Sequence, residues 1–130
     1  MSSSWSSSKS VLVGALAVGV LLIGSILWKG YAPSPYDTFA QCLQDNGAFV
    51  YEAYWCSNCA IQEEMFGSSY RYLDTKECST RGSRNFDLCE QDGITGTPTW
   101  ENVDTGERRT GVQSFVDLAE WFNCEIPVTN

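Results

Sequence analysis

The sequence has no histidine at any of its 130 positions. This absence excludes Ser-His-Asp and Cys-His catalysis, zinc sites that use histidine, and pH sensing by histidine. Basic residues are also scarce: after residue 29 there are 6 Lys and Arg against 16 Asp and Glu. Such an acidic surface disfavours binding to nucleic acid or to anionic lipid headgroups. The chemistry of the chain must therefore come from cysteines or carboxylates.

The N-terminal segment differs in composition from the rest of the chain. Residues 1–10 are polar and of low complexity, which predicts a disordered tail. Residues 11–28 carry no charge, and as a helix they would extend about 27 Å, close to the hydrocarbon thickness of a bilayer. We therefore predict a transmembrane anchor over 11–29, with a cleaved signal peptide or a buried core helix as alternatives. A short linker over 30–35 and a folded domain over 36–126 would follow.

The cysteine content bears on location. Six cysteines, at 42, 56, 59, 78, 89 and 124, are many for so short a cytosolic chain and predict disulfides. Combined with the predicted anchor, they predict a single-pass membrane protein with a cytoplasmic N-terminus. Its folded domain would then be extracytoplasmic, in a periplasm, a lumen or at a cell surface.

Hydrophobic periodicity after residue 36 predicts the element order α-β-α-β-α-β-β-α. The predicted strands cover 48–55, 70–78, 94–102 and 107–110. The predicted helices cover 37–46, 60–66, 85–91 and a closing segment around 115–122. This order predicts an α/β domain with a central sheet flanked by helices.

The main chemical motif is Cys56-Ser57-Asn58-Cys59. A Cys-x-x-Cys pair alone also occurs in zinc sites and structural disulfides. Here it joins an aromatic strand to a helix, so Cys56 falls where unpaired N–H groups and the helix dipole stabilise a thiolate. We predict Cys56 as the catalytic nucleophile and Cys59, one turn further, as the resolving thiol.

A second feature, Thr97-Pro98, follows about forty residues later. An X-Pro bond is the only kind at which a cis peptide is readily accessible, although an ordinary trans proline in a turn is the alternative.

Several segments between residues 36 and 123 resemble the thioredoxin-like domain that is fused to bacterial and plant vitamin K epoxide reductase homologues. They are Phe39-Ala40-x-Cys42-Leu43, Tyr51-x-Ala53-Tyr54-Trp55-Cys56-x-x-Cys59, Gln62-x-Glu64-x-Phe66-Gly67, Glu77-Cys78, Cys89 and Gly93-Ile94-Thr95-x-x-Pro98-Thr99-Trp100.

The resemblance implies a thioredoxin-like fold and a thiol-disulfide oxidoreductase activity. It implies that a cis-proline loop at Thr97 and Pro98 faces the Cys-x-x-Cys pair and binds substrate, and that Cys78 pairs with Cys89. Substrate proteins with thiols or disulfides would be the partners. Since the family's quinone-reducing helical bundle is missing from these 130 residues, a quinone-linked membrane partner would be a separate chain.

The sequence departs from the family at three positions in or near the motif. Ser57-Asn58 replaces the frequent Pro-His, which predicts a less stabilised Cys56 thiolate and a less oxidising disulfide. Glu52 replaces the usual glycine and is a candidate proton acceptor for Cys59, unless strand alternation points it outward.

The remaining candidates are Cys42, Cys124 and Trp55. Two free thiols would be a liability in an oxidising compartment, which favours a disulfide between Cys42 and Cys124. Trp55 precedes Cys56 and is a candidate substrate contact, with packing as its alternative role. The sequence predicts no cofactor and no metal. The rival functions are an extracytoplasmic disulfide reductase or isomerase, a structural or zinc-binding module, and a chaperone-like binding domain.

Overall fold

A computed structural model describes the backbone of residues 5–128 and the side chains of 11–25 and 32–128. The chain divides into two units between Ala32 and Pro33. The first unit contains helix α1, Trp5–Tyr31. Residues 1–4 of the predicted polar tail, the side chains of its residues 5–10, and the side chains of residues 26–29 of the predicted anchor lie outside the described parts.

The predicted transmembrane anchor over residues 11–29 is wrong. A helix that crosses a bilayer needs about 20 predominantly apolar residues. Among the residues that the structure describes, no helix combines the length and the apolar character that this requires. The predicted single-pass localisation, with a cytoplasmic N-terminus and an extracytoplasmic domain, is overturned by the same finding.

The second unit is a mixed α/β domain, as predicted. Its helices are α2, Asp37–Asp45; α3, Ser57–Phe66; and α4, Phe115–Phe122. Its strands are β1, Ala48–Glu52; β2, Asp74–Glu77; β3, Thr99–Asn102; and β4, Arg108–Thr110. Two 3-10 helices cover Gly67–Tyr72 and Asp87–Cys89.

The four strands form one sheet in the order β2-β1-β3-β4. β1 pairs in parallel with β2, which follows it through α3, and antiparallel with β3. β3 and β4 form an antiparallel pair across a tight turn. The central strand β1 therefore leads, at its carboxyl end, directly into the Cys-x-x-Cys segment.

Alternation along β1 separates two hydrophobic clusters. Ala48 and Val50 face the main cluster, which the three helices α2, α3 and α4 complete. Phe49 and Tyr51 face a smaller cluster that contains the buried Cys78 and Cys89. The main cluster comprises Phe39, Ala40, Leu43, Ala48, Val50, Phe66, Tyr70, Leu73, Trp100, Leu118, Phe122 and Cys124. One face of the sheet is thus covered by helices and the other by the segment between β2 and β3.

All four strands are shorter than the sequence predicts, and β3 begins only at Thr99, after the cis Thr97-Pro98 bond. β1 ends at Glu52 because the backbone then turns, with Cys56 N–H donating to Ala53 O at 2.9 Å. β2 begins only at Asp74, because Tyr70 belongs to the preceding 3-10 turn and packs against Phe66 at 6.1 Å between ring centres.

Candidate functional site

The position of Cys56 is set by the start of α3. Cys56 is the N-cap residue with φ −83° and ψ 115°, and its Sγ accepts a hydrogen bond from the backbone N–H of Cys59 at 3.2 Å. The thiol therefore lies on the exposed N–H groups of the first helical turn, where negative charge is stabilised. Cys56 is half-buried, whereas Cys59 is only 6% exposed.

The loop before β3 reaches the same sulfur. The S–H of Cys56 donates to the carbonyl oxygen of Thr97 at 3.2 Å. The Thr97-Pro98 peptide bond is cis, and Pro98 is fully buried. Residues 41 positions apart in the sequence are thus in direct contact at one end of the sheet.

The two thiols differ in acidity. Burial raises the pKa of Cys56, but hydrogen bonds from the side chains of Cys59 and Thr97 and from backbone N–H groups outweigh it, so its pKa lies below the ordinary value. Burial, and then the hydrogen bond with Cys56, raises the pKa of Cys59 to about 12. Of the two thiols, Cys56 is therefore the one that ionises first as pH rises.

Glu52 lies beside Cys59 rather than on the outer surface. It is two residues after Val50, so alternation directs it to the helix-covered face, where the Tyr70 hydroxyl donates to its Oε2 at 2.8 Å. Burial and the charge of Glu52 raise the pKa of Tyr70, so its hydroxyl keeps its proton. Glu52, Cys56 and Cys59 line one cavity of about 230 Å³.

Two aromatic side chains before Cys56 bind the loop that follows β2. The indole N–H of Trp55 donates to Ser79 Oγ at 2.7 Å, and its ring stacks on Phe86 at 5.5 Å. The Tyr54 hydroxyl donates to Ser83 O at 2.8 Å and accepts from Gly82 N–H at 2.8 Å. Trp55 is therefore half-buried, and its indole N–H is already used within the chain.

The other four cysteines form two disulfides in the structure. Cys78 and Cys89 are joined within the smaller cluster, 11 positions apart. Cys42 and Cys124 are joined across 82 positions and tie α2 to the segment after α4. In the part of the chain that the structure describes, no group of three or more acidic, cysteine or histidine side chains could hold a metal ion.

One buried residue, Gln62, stabilises the elements that carry the site, although the sequence analysis did not select it as a site residue. Gln62 on α3 is fully buried; its Oε1 accepts from Trp100 Nε1 at 3.2 Å and from Gln113 N–H at 2.7 Å. Its Nε2 donates to Gln113 O at 3.2 Å. This side chain fixes α3 against β3 and the segment before α4. A polar residue on the buried face of a helix, three positions after Cys59, is the signal that could have revealed it.

The geometry defines a class of site, a helix-capping dithiol opposed by a proline loop on an α/β domain. No protein-family model matches the chain. The chain is 38% identical over 93 residues to thiol-disulfide oxidoreductase LTO1 of Arabidopsis thaliana. The matched region covers 67% of this chain and 24% of that relative, so the chain spans about a quarter of the relative's length.

Proposed function

We propose that this chain is a thiol-disulfide oxidoreductase that exchanges disulfides with substrate proteins through Cys56 and Cys59 on a thioredoxin-like domain. The observation that carries the proposal is the environment of Cys56 Sγ. It accepts the Cys59 N–H at the start of α3 and lies 3.2 Å from the carbonyl oxygen of Thr97.

The proposed reaction is two thiolate displacements. When the chain acts as an oxidant, a substrate thiolate attacks Cys56 Sγ of the Cys56–Cys59 disulfide, and Cys59 leaves as a thiolate that takes up a proton. A second substrate thiolate then attacks the substrate sulfur of the mixed disulfide, and Cys56 leaves as a thiolate. The substrate loses two electrons and gains a disulfide, while the chain ends as the dithiol. Reduction of a substrate disulfide is the reverse sequence.

We assign substrate positioning to the Thr97-Pro98 loop and to Trp55. The backbone of Thr97 beside Cys56 is suited to pair with an extended peptide, as when a peptide adds to a sheet edge. Trp55 forms the adjoining wall because Ser79 and Phe86 fix its ring.

We assign proton transfer at Cys59 to Glu52. With a pKa of about 12, Cys59 needs a base to release its proton when it displaces a bound substrate. Glu52 shares a cavity with Cys59, and its hydrogen bond from Tyr70 holds the carboxylate in place. In Glu52→Gln, release of mixed disulfides should slow about tenfold or more while alkylation of Cys56 is unaffected.

We further propose that a quinone-linked redox centre re-oxidises the dithiol. The support is the resemblance to a domain that is fused to a quinone-reducing bundle. The reduction potential of the Cys56–Cys59 couple tests the direction of electron flow. A value well above that of glutathione favours oxidation of substrates, and a value well below it favours reduction or isomerisation.

The central experiment is trapping of mixed disulfides. Cys59→Ala leaves Cys56 able to attack but removes the thiol that resolves the complex, so it should accumulate covalent complexes with substrate proteins that reductant releases. Cys56→Ala is the matched control and should trap none. Trapping by Cys56→Ala instead would reverse the two roles, and trapping by neither variant would contradict the exchange mechanism.

A further inference from the structure

A second cavity, of about 330 Å³, lies on the face of the sheet that carries the smaller cluster, since Phe86 and Ile94 belong to both. Its lining includes Phe86 and Ile94, which supply apolar surface, and Thr95. Phe86 stacks on Trp55, which immediately precedes Cys56. Thr95 is two residues before Thr97, whose carbonyl contacts Cys56 Sγ. The cavity therefore borders the proposed substrate path on two sides, and its volume is at the lower end for ligand pockets.

The wall of this cavity is held in place by several contacts. Cys78–Cys89 closes the segment that carries Phe86, and both cysteines are fully buried. Ser79 Oγ links the Trp55 indole N–H, at 2.7 Å, to the carbonyl oxygen of Asn85, the residue before Phe86. The cavity is thus preorganised rather than formed by a loose loop.

The charge of the lining has one sign. Asp87 and Glu90 border the cavity, and among the described lining residues there is no Lys or Arg. The side chain and backbone N–H of Thr80, its principal partners, hold the pKa of Asp87 below its usual range, so this carboxylate stays charged. Glu90 is exposed at the rim. An apolar floor with an aromatic ring and an anionic rim suits a long aliphatic side chain that ends in a cation.

We propose that this cavity, lined by Phe86, Ile94, Asp87 and Glu90, is a specificity subsite for a Lys or Arg side chain near the reactive cysteine of a substrate protein. The subsite rests on the proposed exchange function. The substrate peptide pairs with Thr97, and a neighbouring basic side chain extends over Phe86 towards the two carboxylates. The chain would thereby select cysteines in basic sequence contexts.

The test uses the full chain with its Cys56–Cys59 pair reduced and short peptides whose single cysteine carries thionitrobenzoate in a mixed disulfide. Cys56 thiolate attacks the peptide sulfur and releases coloured thionitrobenzoate, so the second-order rate constant is read directly. The peptides differ only in having Lys, Gln or Glu at each of the two positions on either side of cysteine. The variants are Glu90→Gln and Glu90→Lys.

The matched control variant is Asp45→Lys. Asp45 is an exposed carboxylate at the end of α2, next to the start of β1, whereas Cys56 follows the opposite end of that strand. The substitution changes the net charge as much as Glu90→Lys does, but away from the cavity.

In the wild-type chain we expect the Lys peptide to react on the order of fivefold faster than the Gln peptide, and the Glu peptide correspondingly slower. Glu90→Gln should reduce this preference, Glu90→Lys should abolish or invert it, and high salt should weaken it. Asp45→Lys should retain it. Equal rates for the three peptides, or equal changes in Asp45→Lys and Glu90→Lys, would overturn the subsite and leave the exchange function intact. Absence of reaction with every peptide would overturn both.

Discussion

The two hydrophobic clusters of the α/β domain both contain a disulfide, but they are built differently. In the main cluster three helices pack on the sheet, and Cys42–Cys124 only fastens elements that already share a large core. In the smaller cluster Cys78–Cys89 replaces helix packing, and the segment that it closes touches Trp55 beside Cys56. Cys42–Cys124 thus stabilises the packing of the helices on the sheet, whereas Cys78–Cys89 also stabilises the segment that contacts Trp55 beside Cys56.

The largest expected effect is the difference in reactivity between Cys56 and Cys59, which belong to neither disulfide of the described structure. Since the pKa of Cys59 is about 12 and that of Cys56 is below 9.0, their thiolate fractions near neutral pH differ by at least roughly a thousandfold. A short pulse of iodoacetamide, with the reduced pair mapped by mass spectrometry, should therefore label Cys56 almost exclusively. Comparable labelling of both thiols would contradict the assigned environments.

The same contrast predicts a pH dependence of stability. The folded domain keeps the Cys59 proton up to about pH 12, whereas an unfolded thiol loses it near pH 9.0. Between these values the unfolded state binds fewer protons, so the free energy of unfolding should fall as pH rises. The contribution of Cys56 to stability has the opposite pH dependence, because it is lost as pH falls through the lowered pKa of Cys56. Chemical denaturation of the reduced pair across this range should show the alkaline loss. Cys59→Ala should remove the part that begins near pH 9.0, whereas the raised pKa of Tyr70 should leave a loss that begins near pH 10.0.

The next largest effect compares the two disulfides. In the chain-entropy model, a loop of 82 positions contributes about 4.5 kcal/mol and one of 11 positions about 3 kcal/mol. The double variant Cys42→Ala and Cys124→Ala should therefore lose more free energy of unfolding, yet keep its rate of thiol exchange at a temperature where it is folded. The double variant Cys78→Ala and Cys89→Ala should lose less stability but exchange more slowly. Equal activities in the two folded variants would show that the smaller cluster does not shape the site.

A smaller effect concerns Gln62, which fixes α3 within the main cluster. Gln62→Ala would leave the indole N–H of Trp100 and the N–H of Gln113 without their acceptor and would also open a cavity. We expect a loss of about 2–3 kcal/mol in the free energy of unfolding. Glu64→Ala, at an exposed position of the same helix, is the control and should change it by less than about 0.5 kcal/mol.

The α/β class and the junction of strand and helix at Cys56 could be predicted from the sequence, since hydrophobic periodicity and the motif are local signals. The lengths of the strands could not. Tyr54 and Trp55 have the composition of a strand, but their hydroxyl and indole groups bind a loop 24 to 29 positions away. The predicted anchor over 11–29 failed because absence of charge is a weaker criterion than the length and apolarity that a bilayer requires.

The smallest expected effect tests how tightly the segment between Cys78 and Cys89 is held to the site. Tyr54 is 55% exposed, so its ring contributes little to the core, but its hydroxyl bonds both Ser83 O and Gly82 N–H. Tyr54→Phe removes those bonds and keeps the ring, and because water can replace them we expect a loss of about 1 kcal/mol in the free energy of unfolding. Hydrogen exchange should rise at Gly82 and Ser83 while it stays unchanged in α2, within the main cluster. Tyr72→Phe, which removes a hydroxyl that accepts from Arg71 outside this segment, is the matched control. Unchanged exchange at Gly82 in Tyr54→Phe would mean that the Tyr54 hydroxyl does not help to position this segment, and that the disulfide and the Trp55 contacts suffice.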